Sequence, residues 1–214
     1  MVTPAPTIAV IDYGIGNLRS AEKALVRVAG DARLTSDPGF IREANAVVLP
    51  GVGAFGACMQ ALSNAGLEQS VYDAVASGRP FLGICVGMQM LFDGSEEDPS
   101  APGLGVIPGT VVWIPPGVKR PQMQWNRLTV KQPDDPMMRD LGDSSWMYFV
   151  HSLHGVPADP ANVVATCDYG VELNVAFRRD NVFATQFHPE KSGSWGLILL
   201  ANFVRMAAQT GVRQ

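Results

Sequence analysis

The sequence is poor in charge and has no cluster of basic residues, and both shortages exclude classes of function. Charged residues make up 17% of the 214 residues, and the formal net charge is −4. Lysine and arginine are scattered along the chain, so there is no electrostatic footprint for nucleic acid. No apolar run approaches the roughly 18 residues of a membrane-spanning helix, and the run near the N-terminus is too short for a secretory signal. We therefore expect neither nucleic acid nor a membrane as a partner.

Cysteine is scarce as well. The three cysteines, Cys58, Cys85 and Cys167, are an odd number and form no C-x-x-C pair. This usage disfavours a disulfide framework and a zinc site, and it fits a reducing, cytoplasmic compartment. The apolar content of 47% is sufficient for one sizeable core. We therefore expect no metal ion and no cofactor, and we predict a single domain over residues 1–214.

Three apolar runs in the first half each end in a glycine-containing turn that leads into a helical pattern. They begin at Thr7, Ala46 and Phe81. A strand, turn and helix repeated three times predict an α/β fold with a mostly parallel central sheet and helices on both faces. Short β-type runs follow in the second half, with a hairpin turn predicted at Asp180 and Asn181. We expect these runs to extend the same sheet.

The stretch "FLGICVGMQM" places Cys85 between Gly83 and Gly87, after an apolar strand and before a helical pattern. G-x-C-x-G in this context is the thiol version of a nucleophile elbow, in which glycines avoid collisions where the chain folds back. The amide groups that follow, beginning with Val86, favour a thiolate and can stabilise an oxyanion. On this motif alone, a buried structural cysteine is an equally good interpretation.

A nucleophile needs a base, and the base needs a group that orients it. In "QFHPEKS", His188 follows an apolar strand and Glu190 comes two positions later. Residues i and i+2 of an extended segment face the same side, so Glu190 can accept a hydrogen bond from the imidazole. In a parallel sheet, His188 and Cys85 would both lie at the carboxyl edge. His151 is interpreted as a structural histidine.

Two further segments are predicted to reach the same edge. "PGVG" supplies Gly51, Val52 and Gly53, whose peptide groups can turn an N–H toward the cleft as a second oxyanion donor. An ordinary strand-to-helix turn explains this pattern equally well. "YFVHSL" can bring Ser152 and its backbone to the site.

Taken together, "PGVGAF", "GICVGMQ", "YFVHS" and "FATQFHPEKS" resemble the triad-type, or class I, glutamine amidotransferases. The resemblance runs from Ile8 to Phe203, and Met88 with the opening "IDYGIGNLRS" is similar to the branch of that family that serves histidine biosynthesis. The family implies a flavodoxin-like three-layer sandwich. It also implies glutamine hydrolysis by Cys85 as nucleophile, His188 as base and then acid, and Glu190 as the orienting group.

The resemblance implies roles for further residues. Oxyanion stabilisation is assigned to the backbone of Gly51, Val52, Gly53 and Val86, and binding of L-glutamine to Gln89 and Ser152. The ammonia would pass to a (βα)8-barrel cyclase subunit in a heterodimer. The residues that match positions at that contact are Asn17, Met123, Trp125 and Asn126. For Trp125, ordinary burial in the core is the competing interpretation.

The chain departs from the family pattern at Gln122 and Gln124, where histidine and glycine are usual. This difference leaves a second hypothesis open, in which the same chemistry supplies ammonia to another synthase, such as a sugar-amidating enzyme. A third hypothesis is a non-catalytic protein in which Cys85 is merely an oxidisable thiol. The presence of both His188 and Glu190 disfavours the third, because a sensing thiol does not need that carboxylate.

Overall fold

The computed structural model describes residues 5–15 and 18–210. Its strands are β1 (Thr7–Ile11), β2 (Asp31–Thr35), β3 (Ala46–Gly51), β4 (Phe81–Cys85), β5 (Gly94–Ser95), β6 (Asp98–Pro102), β7 (Gly109–Trp113), β8 (Gln122–Arg127), β9 (Thr129–Val130), β10 (Trp146–His151), β11 (Leu153–Pro157), β12 (Val163–Asp168), β13 (Glu172–Arg179) and β14 (Val182–Thr185). Its α-helices are α1 (Leu18–Arg27), α2 (Pro38–Glu43), α3 (Phe55–Asn64), α4 (Glu68–Ala76), α5 (Val86–Gln89) and α6 (Gly193–Thr210), and short 3₁₀ turns lie at Pro136–Met138, Pro160–Asn162 and Pro189–Lys191.

The central sheet has eight strands in the order β2-β1-β3-β4-β14-β13-β12-β9. The pairings from β2 to β14 are parallel, and those from β14 to β9 are antiparallel. The strands β3 and β4 are buried along their whole length. Continuous apolar strands of this kind need cover on both faces, which the flanking helices supply. The α/β class predicted from the sequence is therefore confirmed.

The second half of the chain differs from the prediction, because only part of it extends the central sheet. Strands β11, β7, β5 and β6 form a separate four-stranded sheet, and β8 pairs with β10 in a two-stranded ribbon. The hairpin predicted at Asp180 and Asn181 is confirmed, since Arg179 pairs with Val182 and Asp180 has a positive φ of 51°. Short β patterns carry no signal for their partner strands, so the split into three sheets could not be predicted.

The parallel core brings the predicted site residues to one edge. Gly51 is the last residue of β3 and Cys85 is the last residue of β4, and the two are paired in register. On the other side of β4 lies β14, which ends at Thr185, three residues before His188. Within residues 5–15 and 18–210, no helix has the length and hydropathy needed to cross a membrane.

Candidate active site

Cys85 occupies a sharp turn between β4 and α5. Its backbone has φ 54° and ψ −114°, a conformation that L-residues rarely adopt. Helix α5 is only four residues long, so the groups it offers at the turn are individual amide N–H groups rather than a large dipole. The structure therefore confirms the elbow predicted from G-x-C-x-G.

The flanking glycines are required by close backbone contacts. A Cβ atom at Gly87 would collide with the carbonyl group of Leu49 in β3. A Cβ atom at Gly83 would lie 2.8 Å from Leu91 Cδ1 and 3.1 Å from the Gly87 carbonyl oxygen. The contact at Gly87 leaves no room for a side chain and that at Gly83 is tight, so both glycines help the chain to fold back beneath Cys85.

His188 lies between Cys85 and Glu190. Its Nδ1 is 2.7 Å from Oε1 of Glu190, and both side chains are almost completely buried. His188 and Cys85 line the same cavity, and the nearby Cys85 side chain contributes to the raised pKa of the imidazole. The structure thus brings the three residues predicted as a triad into one connected group.

The electrostatics of His188 follow from these two neighbours. Burial alone would lower the pKa of its imidazole, but the hydrogen bonds with Cys85 and Glu190 and the negative charge of both groups raise that pKa to about 9. A protonated imidazolium at neutral pH is the partner that a cysteine thiolate requires. His188 therefore holds a proton at neutral pH and has the Glu190 side chain behind it.

The backbone of His188 is fixed by Ser192 and Tyr148. The amide of His188 donates to the carbonyl of Tyr148 at 3.1 Å. The Ser192 hydroxyl donates to the carbonyl of His188 at 2.6 Å and accepts from the amide of Tyr148 at 2.9 Å. Ser192 therefore ties the histidine to strand β10.

The predicted oxyanion residues lie directly beside the elbow. A Cβ atom at Gly51 would be 2.6 Å from the amide nitrogen of Gly87 and 3.0 Å from the carbonyl carbon of Val86. Gly53 has a φ of 93°, in the region that favours glycine. The carbonyl of Val52 accepts a hydrogen bond from the Cys58 thiol at 3.3 Å. The turn and the elbow therefore meet backbone against backbone.

A cavity of about 390 Å³ opens at this edge of the sheet, a volume that suits a small-molecule ligand. Cys85, His188 and Gln89 line it. The other lining residues are Val52, Gly53, Val86, Glu97, Val150, His151, Leu153 and Lys191. Ser152, which was predicted to bind substrate, is not among them, although both of its neighbours are.

Two polar residues of the cavity region were not identified from the sequence. Gln186 donates to Cys85 Sγ at 3.7 Å and accepts from Gln89 at 3.1 Å. Glu97 lines the cavity and accepts the backbone N–H of Phe55 at 2.6 Å. It lies in the turn between the paired strands β5 and β6. Because β5 is only two residues long, no strand pattern could reveal it.

His151 is a structural histidine, as predicted. It is 6% exposed, and its two ring nitrogens lie 2.7 Å from the Leu153 carbonyl and 2.7 Å from Oε1 of Gln122. Burial lowers the pKa of His151 to about 4. Its ring is therefore neutral at pH 7, unlike that of His188.

Three of the four residues predicted to contact a partner lie on strand β8 of the ribbon. Met123 is 62% exposed and Trp125 is 46% exposed, so Trp125 is not a core residue. Its indole packs edge-to-face on the ring of Tyr148. The side-chain amide of Asn126 donates to the carbonyl of Asp168 at 2.7 Å, while Asn17 lies outside the described residues.

Comparisons with known proteins identify the family of the chain. Residues 10–207 match the family model described as glutamine amidotransferase class-I. The protein named imidazole glycerol phosphate synthase subunit HisH from Acaryochloris marina (strain MBIC 11017) is 50% identical over 209 residues, covering 96% of this chain and 97% of that protein. The subunit of the same name from Methanothermobacter thermautotrophicus (strain ATCC 29096 / DSM 1053 / JCM 10044 / NBRC 100330 / Delta H) is 48% identical over 199 residues, covering 93% and 98%.

A solved structure described as a crystal structure of glutamine amidotransferase has the same fold. It superimposes with a TM-score of 0.74 at 23% identity, covering 93% of this chain and 98% of that one. The match to the family model and the similarity to the two relatives each extend over most of the chain. The chain therefore belongs to the class I glutamine amidotransferase family.

Proposed function

We propose that this chain is the glutaminase subunit of an imidazole glycerol phosphate synthase and that it forms a single domain. Its catalytic residues are Cys85, His188 and Glu190. The observation that carries the proposal is the position of His188, which is paired with Glu190 at 2.7 Å and lines the same cavity as Cys85. Nucleophile, base and orienting group in this order are the arrangement that amide hydrolysis through a thioester needs.

The first half-reaction releases ammonia. The Cys85 thiolate attacks the side-chain amide carbon of glutamine, and the C=O electrons move onto the oxygen. Backbone N–H groups of the turn at Gly51–Gly53 and of Val86 stabilise this oxyanion. The His188 imidazolium donates its proton to the leaving nitrogen, the C–N bond breaks, and ammonia departs from a glutamyl thioester.

The second half-reaction regenerates the thiolate. His188, now neutral, removes a proton from water as the water oxygen attacks the thioester carbon. The C–S bond breaks, glutamate leaves, and Cys85 and His188 return to the thiolate–imidazolium pair. Glu190 keeps a hydrogen on Nδ1 throughout, so that Nε2 is the nitrogen that exchanges protons with the reacting atoms.

Substrate selection follows from the charges around the cavity. Glu97 is the one carboxylate among the residues that line it, and it matches the α-ammonium group of an amino acid. Gln89 donates a hydrogen bond to Gln186, which in turn donates to Cys85 Sγ. Gln89 is therefore suited to hold the reacting end of the substrate's side chain. The binding of glutamine by Ser152 stays a prediction, since His151 and Leu153 line the cavity and Ser152 does not.

The ammonia would pass to a (βα)8-barrel cyclase, which uses it to make imidazole glycerol phosphate and aminoimidazole carboxamide ribotide. Two observations support this assignment. The relatives from Acaryochloris and Methanothermobacter carry the name of that synthase subunit. Met123 and Trp125 form an exposed apolar surface on the ribbon, and aromatic residues of this kind commonly anchor protein interfaces. Burial in a heterodimer would keep the ammonia away from water.

The test is a glutaminase assay of the chain alone, with the cognate cyclase, and with the cyclase and its nucleotide ligand. We expect glutamate release to rise when the cyclase is present and to rise further with the nucleotide. Stimulation by a sugar-amidating synthase instead of the cyclase would support the second hypothesis. Absence of glutamate release under every condition would reject both in favour of a non-catalytic protein.

A further inference from the structure

A connected row of buried polar side chains leads from Cys167 through Gln122 to His151. The Nε2 atom of Gln122 is 3.8 Å from Cys167 Sγ, and the Oε1 atom of Gln122 is 2.7 Å from His151 Nε2. Gln122 and Cys167 are fully buried, and His151 lines the cavity that contains Cys85. A single glutamine thus connects the inside of the ribbon to the wall of the active site.

The hydrogens in this row can be assigned from donor and acceptor chemistry. The Leu153 carbonyl only accepts, so His151 Nδ1, 2.7 Å away, carries the ring hydrogen. Burial lowers the pKa of His151 to about 4, so its Nε2 is a bare acceptor at neutral pH. A bare acceptor needs an N–H donor. A half-turn of the Gln122 amide supplies one and turns the amide oxygen toward the Cys167 thiol.

The row lies at a place where the chain changes sheets. Strand β10 pairs with β8 in the ribbon and ends at His151, whereas β11 pairs with β7 and begins at Leu153. The His151 ring spans this junction by binding the Leu153 carbonyl, and residues 151 and 153 both line the cavity. The orientation of the His151 ring therefore fixes the bend of the cavity wall, and the contact with Gln122 fixes that orientation.

We propose that Gln122 is a positioning residue for glutamine hydrolysis, which holds the His151 ring in its Nδ1–H form and thereby fixes the cavity wall at residues 151–153. The proposal rests on the proposed function for its kinetic part only. The substrate end of the site depends on this wall, whereas the Cys85 and His188 side chains are carried by β4 and by the segment after β14, and β10 contacts His188 through its backbone. Gln122 therefore acts mainly on glutamine binding.

The first test is a ring-nitrogen NMR spectrum of ¹⁵N-histidine-labelled protein, which is simple because the chain has only three histidines. Loss of signals in His151→Asn assigns that ring. We expect Nδ1 to be protonated and Nε2 bare in the unmodified chain. In Gln122→Glu, a carboxylate can only accept, so Nε2 should gain a hydrogen. In Gln124→Glu, the same charge on an exposed side chain of the same strand should leave the ring unchanged.

The second test is steady-state kinetics with the cyclase present. Gln122→Leu removes the donor at similar volume, and we expect the KM for glutamine to rise about tenfold with kcat changed less than about threefold, the cost of one buried hydrogen bond. Gln122→His restores an N–H donor and should recover most of the loss. If Gln122→Leu fails to fold, Gln122→His and Gln122→Glu give the same comparison, because one retains the donor and the other does not.

The outcomes are distinct. A His151 ring with hydrogen on Nε2 in the unmodified chain would overturn the proposal, and so would a KM within twofold of the unmodified value in Gln122→Leu or Gln122→Glu. Loss of kcat without a change in KM would also overturn it. Absence of glutaminase activity in the unmodified chain would reject the proposed function, while the ring spectrum would still decide whether Gln122 holds His151.

Discussion

The backbone amide of His188 donates a hydrogen bond to the carbonyl of Tyr148. This bond links the proposed base to the ribbon of β8 and β10, where the ring of Tyr148 packs against the exposed Trp125. Two contacts, between Trp125 and Tyr148 and between Tyr148 and His188, therefore connect the surface predicted to meet a partner with the backbone of His188. Ser192 reinforces the link, because its hydroxyl bridges the Tyr148 amide and the His188 carbonyl.

Replacement of Cys85 should abolish glutamine hydrolysis without unfolding the protein. Cys85→Ala and Cys85→Ser keep a non-glycine residue at φ 54°, so the backbone strain is unchanged. We expect glutamate release to fall by at least about 10³-fold, as for other nucleophiles that act within a catalytic unit. Thermal unfolding should stay within a few degrees of the unmodified protein. Glutaminase activity close to normal in Cys85→Ala would exclude the thioester mechanism.

Stability should depend on pH through His188. Its pKa is about 9 in the folded chain, above the ordinary value of 6.5, so the folded state holds this proton more tightly. The contribution of this proton to the free energy of unfolding is complete below pH 6.5, declines between pH 6.5 and 9, and is absent above pH 9. Urea unfolding should show that His188→Gln is destabilised by about 2–3 kcal/mol at pH 6 and by less at pH 9.5.

His154→Gln is the matched control for this pH dependence. Burial lowers the pKa of His154, the opposite direction, so its stabilising contribution is lost as the pH falls. The difference in the free energy of unfolding between His154→Gln and the unmodified protein should not shrink between pH 6 and 9.5. A His188→Gln difference that is constant over this range would contradict the raised pKa. Glu190→Gln removes one cause of that pKa and should move the decline toward lower pH.

Gly87→Ala should be strongly destabilising, because the added methyl group would collide with the Leu49 carbonyl, and backbone cannot move aside as a side chain can. We expect a loss of about 3 kcal/mol or more in the free energy of unfolding, together with loss of activity. Gly142→Ala is the control, since no atom lies within 4 Å of the position that its methyl group would take and its φ is not left-handed. Equal stability of the two variants would mean that the elbow is looser than described.

Trp125→Ala should weaken binding of the cyclase. The indole is half exposed and lies on the ribbon, as expected of an interface anchor. We expect the dissociation constant, measured by isothermal titration calorimetry, to rise about 10- to 100-fold. Tyr72→Ala removes an aromatic ring of similar exposure from helix α4 and should leave the affinity unchanged. Equal effects of both variants would place the partner elsewhere.

The parallel half of the fold could be predicted because its signals are local. Apolar runs ending in glycine turns define β1, β3 and β4, and the helices after them follow from periodicity. Strand β2 was missed because only one of its five residues is buried. Helix α2 was missed although Asp37 accepts from the Gly39 amide and Pro38 follows it, a recognisable start signal.

The site residues could be predicted where the residues that act together lie within one short motif. Cys85 between two glycines, and His188 two residues before Glu190, indicate their geometry within a few residues. Glu97, Gln186 and Gln122 act through contacts with residues 42, 101 and 29 positions away, respectively. Nothing in the local sequence encodes such partners, so these residues required the structure. Ser152 is the opposite case, because it was predicted from the sequence whereas only its two neighbours line the cavity.

The contact between Gly87 and the Leu49 carbonyl involves main-chain atoms only. The position of the Cys85 sulfur relative to β3 therefore depends on this main-chain contact as well as on the side chains around it. Two members of this family can differ across most of their interiors and still hold the thiol at the same point in space. Divergence of the core and invariance of the reacting atom are compatible because they depend on different parts of the chain.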